Sequence, residues 1–227
     1  MPDWLTYGLS DFLLFSPRTY YRMFELYHTQ IWPIHLVVLG SVVAVVVLLR
    51  REEGWRDRAI AGVLAVWWLW VAIAFHLQRY ATINWAGSYF AALFAIQALL
   101  LVWFGVIRAR LRFRLSRERA AYLVAGVLVI ALVFEPLAGR IAGRSWRQVE
   151  MFGLTPDPTA IATLAFLALS IARPHRALIV IPVVWSAIGA ATLWALGSPE
   201  AWLVMFAGLA GLILAIRREP AQPHSRL

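Results

Sequence analysis

The stretch IWPIHLVVLGSVVAVVVLL, residues 31–49, runs directly into Arg50-Arg51. Its only titratable side chain is His35. As a helix these residues would rise about 28 Å, close to the ~30 Å of hydrocarbon in a bilayer. The arginine pair then marks a return to water. Six more apolar runs follow, at 59–77, 89–107, 120–138, 158–172, 178–196 and 200–216. The expected fold class is therefore all-α, a polytopic membrane helix bundle with seven transmembrane helices. The run at 158–172 is the shortest, and whether it crosses fully is left open. The expected organisation is an outer-face segment at 1–30, a membrane domain at 31–216 and a cytoplasmic tail at 217–227.

Composition agrees. Of 227 residues, 62% are hydrophobic and 15% charged, against about 45–50% and 25% in soluble domains. Cysteine is absent, which excludes disulfides, thiol catalysis and thiolate metal sites. All 21 basic residues are arginine, so a retinal Schiff base has no lysine to form on. The start, Met1-Pro2-Asp3-Trp4, is acidic and aromatic. The first apolar run is expected to stay as an uncleaved span.

Charge orients the bundle. Threading seven spans puts 15 arginines on one side and 6 on the other. Excess arginine marks the cytoplasmic side, so the N-terminus is expected outside and the C-terminus inside. With the acids included, the inner side carries +10 and the outer side −1, which together give the net +9. The arginine run at 108–119 reads as a stop-transfer and headgroup-contact loop rather than a nucleic-acid site. The expected partners are membrane lipids and, in one reading, other membrane subunits, with no nucleic acid.

The outer side holds most of the chemistry. Pro17 suits the first turn of a helix, and Ser10-Asp11 could cap an earlier turn. Tyr20, Phe24, Tyr27 and Ile31 form an apolar stripe at helical spacing. This predicts an N-terminal interfacial amphipathic helix lying flat on the outer face and turning at Trp32-Pro33. His28 and His35 are seven residues apart and share a face with Glu25 if no large kink intervenes. His76, Arg79 and Asn84 sit beyond the second span, and Glu135 lies near the outer end of the fourth. The 139–157 connection contributes Glu150 and Asp157, and its apolar positions suggest a lid folded over the helix ends. The candidate ligand-binding set is Glu25, His28, His35, His76, Arg79, Asn84, Glu135, Glu150 and Asp157, because ionisable groups at membrane depth are costly. The competing account is plain: histidines as interfacial anchors, and Glu135 paired with Arg140 or Arg144. Trp67, Trp68, Trp70 and Trp185 fall near mid-span, where indole N–H groups need partners; core packing is the simpler reading of them.

No catalytic or nucleotide motif is present, no spacing names a metal, and the cofactor is unknown. A haem between His35 and His76 is disfavoured by their position at the outer edge. The three-plus-one-plus-three layout is analogous to small sugar-type transporters with parallel repeats, without their proline-glutamine motif.

The stretches SDFLLFSP (10–17), FHLQRY (75–80) and MFGLTPDP (151–158) resemble a family of small bacterial multi-pass membrane proteins of unknown function. The resemblance runs along nearly the whole chain. It implies a bacterial inner-membrane location and supplies no activity. Three functional readings follow: a permease-like or solute-binding protein with a polar outer site, an accessory subunit of a respiratory or photosynthetic complex, or a histidine-based metal-binding protein.

Overall fold

The computed structural model describes residues 14–114, 119–171 and 174–216. The Ser10-Asp11 cap and the 217–227 tail lie outside the described residues. Among those described, every regular element is helical, and the only strand-like pairing is one antiparallel bridge between Phe113 and Ser170.

A helix lies in each of the seven apolar runs, that at 158–172 ending at Ala168. Helix α1 (Pro17–Gln30) is followed by α2 (Ile34–Leu49) and α3 (Arg56–Trp70), which widens into a π-helix over Val71–Leu77. Helix α4 (Gly87–Leu101) likewise ends in a π-helix, Val102–Ile107. Helix α5 (Arg119–Val129) runs through another, Ile130–Phe134, into α6 (Glu135–Ile141). Helices α7 (Pro156–Ala168), α8 (Ala177–Ala195) and α9 (Glu200–Ile216) complete the order. Three described helices are long and apolar enough to cross a membrane: Arg56–Thr82, Gly87–Ile107 and Ala177–Ala195. The bent pair α1–α2 makes a fourth if it counts as one span.

Helix α1 starts where Pro17 predicts. Ser16 caps it, its Oγ accepting the Thr19 N–H at 3.2 Å. The chain then turns 83° into α2. The stripe Tyr20, Phe24 and Tyr27 is buried, but against protein: Phe24 and Tyr27 lie 5.2 and 5.5 Å from the Phe75 ring.

Helix α7 occupies the centre, with every residue from Pro156 to Leu167 buried. Small residues permit this. At Gly211 of α9, a Cβ would come within 2.8 Å of the Leu164 Cβ. With 13 residues, α7 spans only about 20 Å. Its neighbours surround it, and the irregular backbone before it is satisfied by specific hydrogen bonds.

The preceding segment is accordingly not a lid. Val149, Phe152, Leu154 and Thr155 are buried, whereas Ile141 and Trp146 point outward. Gly153, at φ +77°, lies against the Trp67 ring, with a Cβ position 3.0 Å away, and donates its N–H to Thr159 Oγ1 at 2.8 Å. The turn needs glycine for both its backbone angle and its close approach. The hydroxyl ladder Thr155, Thr159, Thr163 then satisfies the descending backbone and the Trp68 indole.

The mid-span tryptophans are core residues with partners. Trp67 donates to Ser41 Oγ at 2.9 Å, Trp68 to Thr163 Oγ1 at 2.8 Å and Trp70 to the Tyr27 hydroxyl at 3.0 Å. On the opposite side, side-chain burial alternates over residues 110–114. Leu111 and Phe113 point inward while Arg110, Arg112 and Arg114 point out, and Asp57 Oδ1 accepts the Phe113 N–H at 3.1 Å.

Candidate polar site

Three structures meet where α1 crosses the end of the bundle: a histidine elbow, an arginine-lined cleft and a layer of buried carboxyls.

The elbow is built from His28 in the last turn of α1 and His35 in the first turn of α2. The large bend brings them together, with His28 Nδ1 2.9 Å from His35 Nε2. His28 Nε2 is also 3.0 Å from the Val149 carbonyl. A carbonyl only accepts, so His28 carries its proton on Nε2 and accepts at Nδ1 from His35 Nε2–H. His35 Nδ1 is left buried with a free lone pair. Burial pushes His28 down to about 4, with His35 adding to the fall and the Val149 carbonyl opposing it. Glu25 does not join the histidines. The 83° turn carries it away, into an ion pair with Arg22 at 2.9 Å and a hydrogen bond from Gln148 Nε2 at 3.3 Å.

Those last residues line the cleft, an open depression of about 850 Å³ walled by Arg18, Tyr21, Arg22, Glu25, Arg79 and Gln148 among others. Three arginines face one acid. Arg22 takes that acid, and Arg18 and Arg79 have no ion-pair partner among the described residues.

Beneath lie Glu150, Asp157 and Glu200, respectively 8%, 2% and 4% exposed. Arg144 is the cation in this layer, and it is bonded to Glu200, which Ser198 also holds. Its guanidinium stacks 4.4 Å from the Tyr21 ring centre. Asp157 Oδ1 accepts the Trp185 indole N–H at 2.6 Å, and Oδ2 has no donor among the described residues. The Asp157 N–H points at Glu150 Oε2, 3.4 Å away. Burial, then the neighbouring Asp157, holds Glu150 well above the usual carboxylate range, against the opposing pull of Thr155 and Arg144.

His76 is fully buried in an aromatic box. Its ring centre lies 4.5 Å from Phe94, 4.8 Å from Trp185 and 5.3 Å from Phe75, and neither ring nitrogen has a partner among the described residues. It sits in the π-helical turn that ends α3, a geometry common at functional sites.

The nine residues singled out from sequence thus divide. Glu25 and Arg79 reach the cleft; His28 and His35 form the elbow; Glu150 and Asp157 pair below; His76 stands apart in its box. Asn84 organises a turn, accepting the Ala86 N–H at 2.9 Å. The Glu135 side chain lies outside the described residues, and Arg144, one of its two expected partners, pairs with Glu200 instead. No three His, Asp or Glu among the described residues are placed to hold a metal. Sequence reasoning missed Arg18 and Arg22 as wall residues, although both sit off the α1 stripe beside Glu25.

Residues 18–226 match the family described as "Family of unknown function (DUF6064)", and the chain belongs to that family. No curated protein and no solved structure matches it.

Proposed function

We propose that this member of a family without assigned activity is a seven-span bacterial inner-membrane protein, N-terminus outside and C-terminus cytoplasmic. In this reading its outer, periplasmic cleft binds a small anionic solute as the entry site of a permease-like protein. The cleft carries the proposal: Arg18 and Arg79 wall a large open depression, and among the described residues no acid is paired to either. A guanidinium fork matches carboxylate or phosphate geometry. The 15-to-6 arginine split supplies the orientation, and a helix in each of the seven apolar runs supports the span count.

The test is calorimetric titration of the detergent-purified full chain with inorganic phosphate, sulfate and succinate, with choline chloride as the ionic control. Saturable binding of one of them is expected, weakened roughly tenfold or more in Arg79→Ala, since a charge-assisted hydrogen bond contributes about 1.5–3 kcal/mol. If none of the three binds above the control, the cleft is not an anion site.

A further inference from the structure

Glu150, Asp157 and Glu200 form a buried layer that holds one guanidinium, Arg144, and Arg144 is committed to Glu200. Two carboxyls remain without an ion pair among the described residues. The two residues meet: the backbone N–H of Asp157 lies 3.4 Å from Glu150 Oε2, and the Asp157 charge acts on the Glu150 carboxyl. Two buried carboxylates this near cannot both stay ionised at modest cost. One of them also lacks a donor among the described residues: Asp157 is 2% exposed, Trp185 satisfies Oδ1, and Oδ2 is buried with no described group to bond. A proton is the missing group, because it removes one charge and turns an acceptor into a donor.

We infer that Glu150 and Asp157 share a single proton at neutral pH, making the junction between the 149–157 segment and α8 a proton-binding site. The groups facing it are those a proton site needs. From α8 comes the Trp185 indole, a donor that cannot titrate. From α1 comes Tyr20, whose hydroxyl is held neutral by burial and then by both carboxyls. From the 142–155 connection comes Arg144, and from the start of α9 its partner Glu200. From the end of α3 comes His76, whose ring packs on Trp185. The site adjoins the cleft in sequence: Gln148 lines the cleft, the Val149 carbonyl meets His28, and Glu150 follows. Loss of the proton would place two like charges at the tightest contact of α7 with α8, where a Cβ on Gly189 would overlap both Asp157 oxygens. The site therefore couples protonation to the packing of α8, and it does so whatever occupies the cleft.

Infrared spectroscopy of the full chain in lipid vesicles tests this directly. At neutral pH the wild-type protein should show the C=O stretch of a protonated carboxyl, shifted in D2O. Glu150→Gln or Asp157→Asn should abolish or displace that band, while Glu25→Gln, at the cleft wall, should leave it. A wild-type spectrum with no protonated-carboxyl band at neutral pH overturns the inference, and needs no variant to fold. A band unmoved by both Glu150→Gln and Asp157→Asn overturns it equally. Anion titration failing while the band is present would remove the cleft assignment alone.

Discussion

Trp185 on α8 and Asp157 in the first turn of α7 are joined by a 2.6 Å hydrogen bond from indole N–H to Oδ1. The bond closes over Gly189, one turn further along α8, where the backbone meets the carboxyl face with no room for a methyl group. Gly189→Ala should therefore destabilise the protein by about 1–3 kcal/mol, the usual cost of overpacking. Gly40→Ala is the control. It lies mid-helix in α2 with open space around its Cβ position, so it should be neutral or stabilising by up to about 1 kcal/mol. Melting midpoints in detergent should fall for the first and hold or rise for the second. Equal midpoints would mean the α7–α8 contact is looser than described.

The same bond can be weighed by a double-mutant cycle. Trp185→Phe keeps an aromatic ring beside His76 and removes the donor, leaving a buried carboxyl oxygen unsatisfied at a cost of about 1–3 kcal/mol. Asp157→Asn keeps the shape and alters the acceptor. The double variant should lose less than the sum of the singles, with a coupling of at least about 0.5 kcal/mol. Strict additivity in the melts would show that the two side chains do not interact energetically.

The long helices were legible because a helix apolar enough to cross a membrane shows in composition alone, and arginines follow them, as Arg50 follows α2 and Arg108 the Gly87–Ile107 helix. The shortest run was ambiguous for a physical reason. Helix α7 is sheathed by protein, so its length is not set by bilayer thickness. The dip of residues 149–155 was invisible for a related reason. A buried loop is satisfied by particular partners, such as Thr159 for Gly153 and Tyr27 for Leu154, and partners distant in sequence leave no periodicity. Period-two alternation was present at 108–114 and was masked by its arginines. At the site, the titratable residues could be named but not grouped. Glu25 and His28 share a helix, yet the elbow sends one to the cleft and the other to His35.

Two of these groups give opposite pH dependences. His28 falls from 6.5 to about 4 in the folded protein, so between those values the unfolded chain binds more protons. Stability from His28 is complete above 6.5 and is lost as pH falls toward 4, by on the order of 3 kcal/mol at most. Glu150 is raised above its ordinary 4.5, so there the folded chain binds more protons. Its contribution is complete below 4.5 and is lost as pH rises above it. Wild type should show partial cancellation between 4.5 and 6.5. In melts across that window, His28→Gln should lose stability with rising pH more steeply than wild type, and Glu150→Gln less steeply, because Asp157, itself raised by burial, still opposes His28. Parallel curves for the two variants would refute the assignment of sign.

The absence of cysteine makes orientation directly measurable, because any introduced thiol is the only one in the chain. Ser145 is exposed beside the cleft-wall residue Gln148, and Gly54 is exposed between α2 and α3 on the arginine-rich side. Neither position touches the buried layer, so Ser145→Cys and Gly54→Cys should fold as wild type. In intact spheroplasts, a membrane-impermeant maleimide should label Ser145→Cys at once and Gly54→Cys only after lysis. The reverse pattern would turn the bundle over and put the arginine cleft in the cytoplasm, where it could no longer serve as an outer entry site. Labelling of both from outside would break the span count between them, since α3 through α6 would then cross an even number of times.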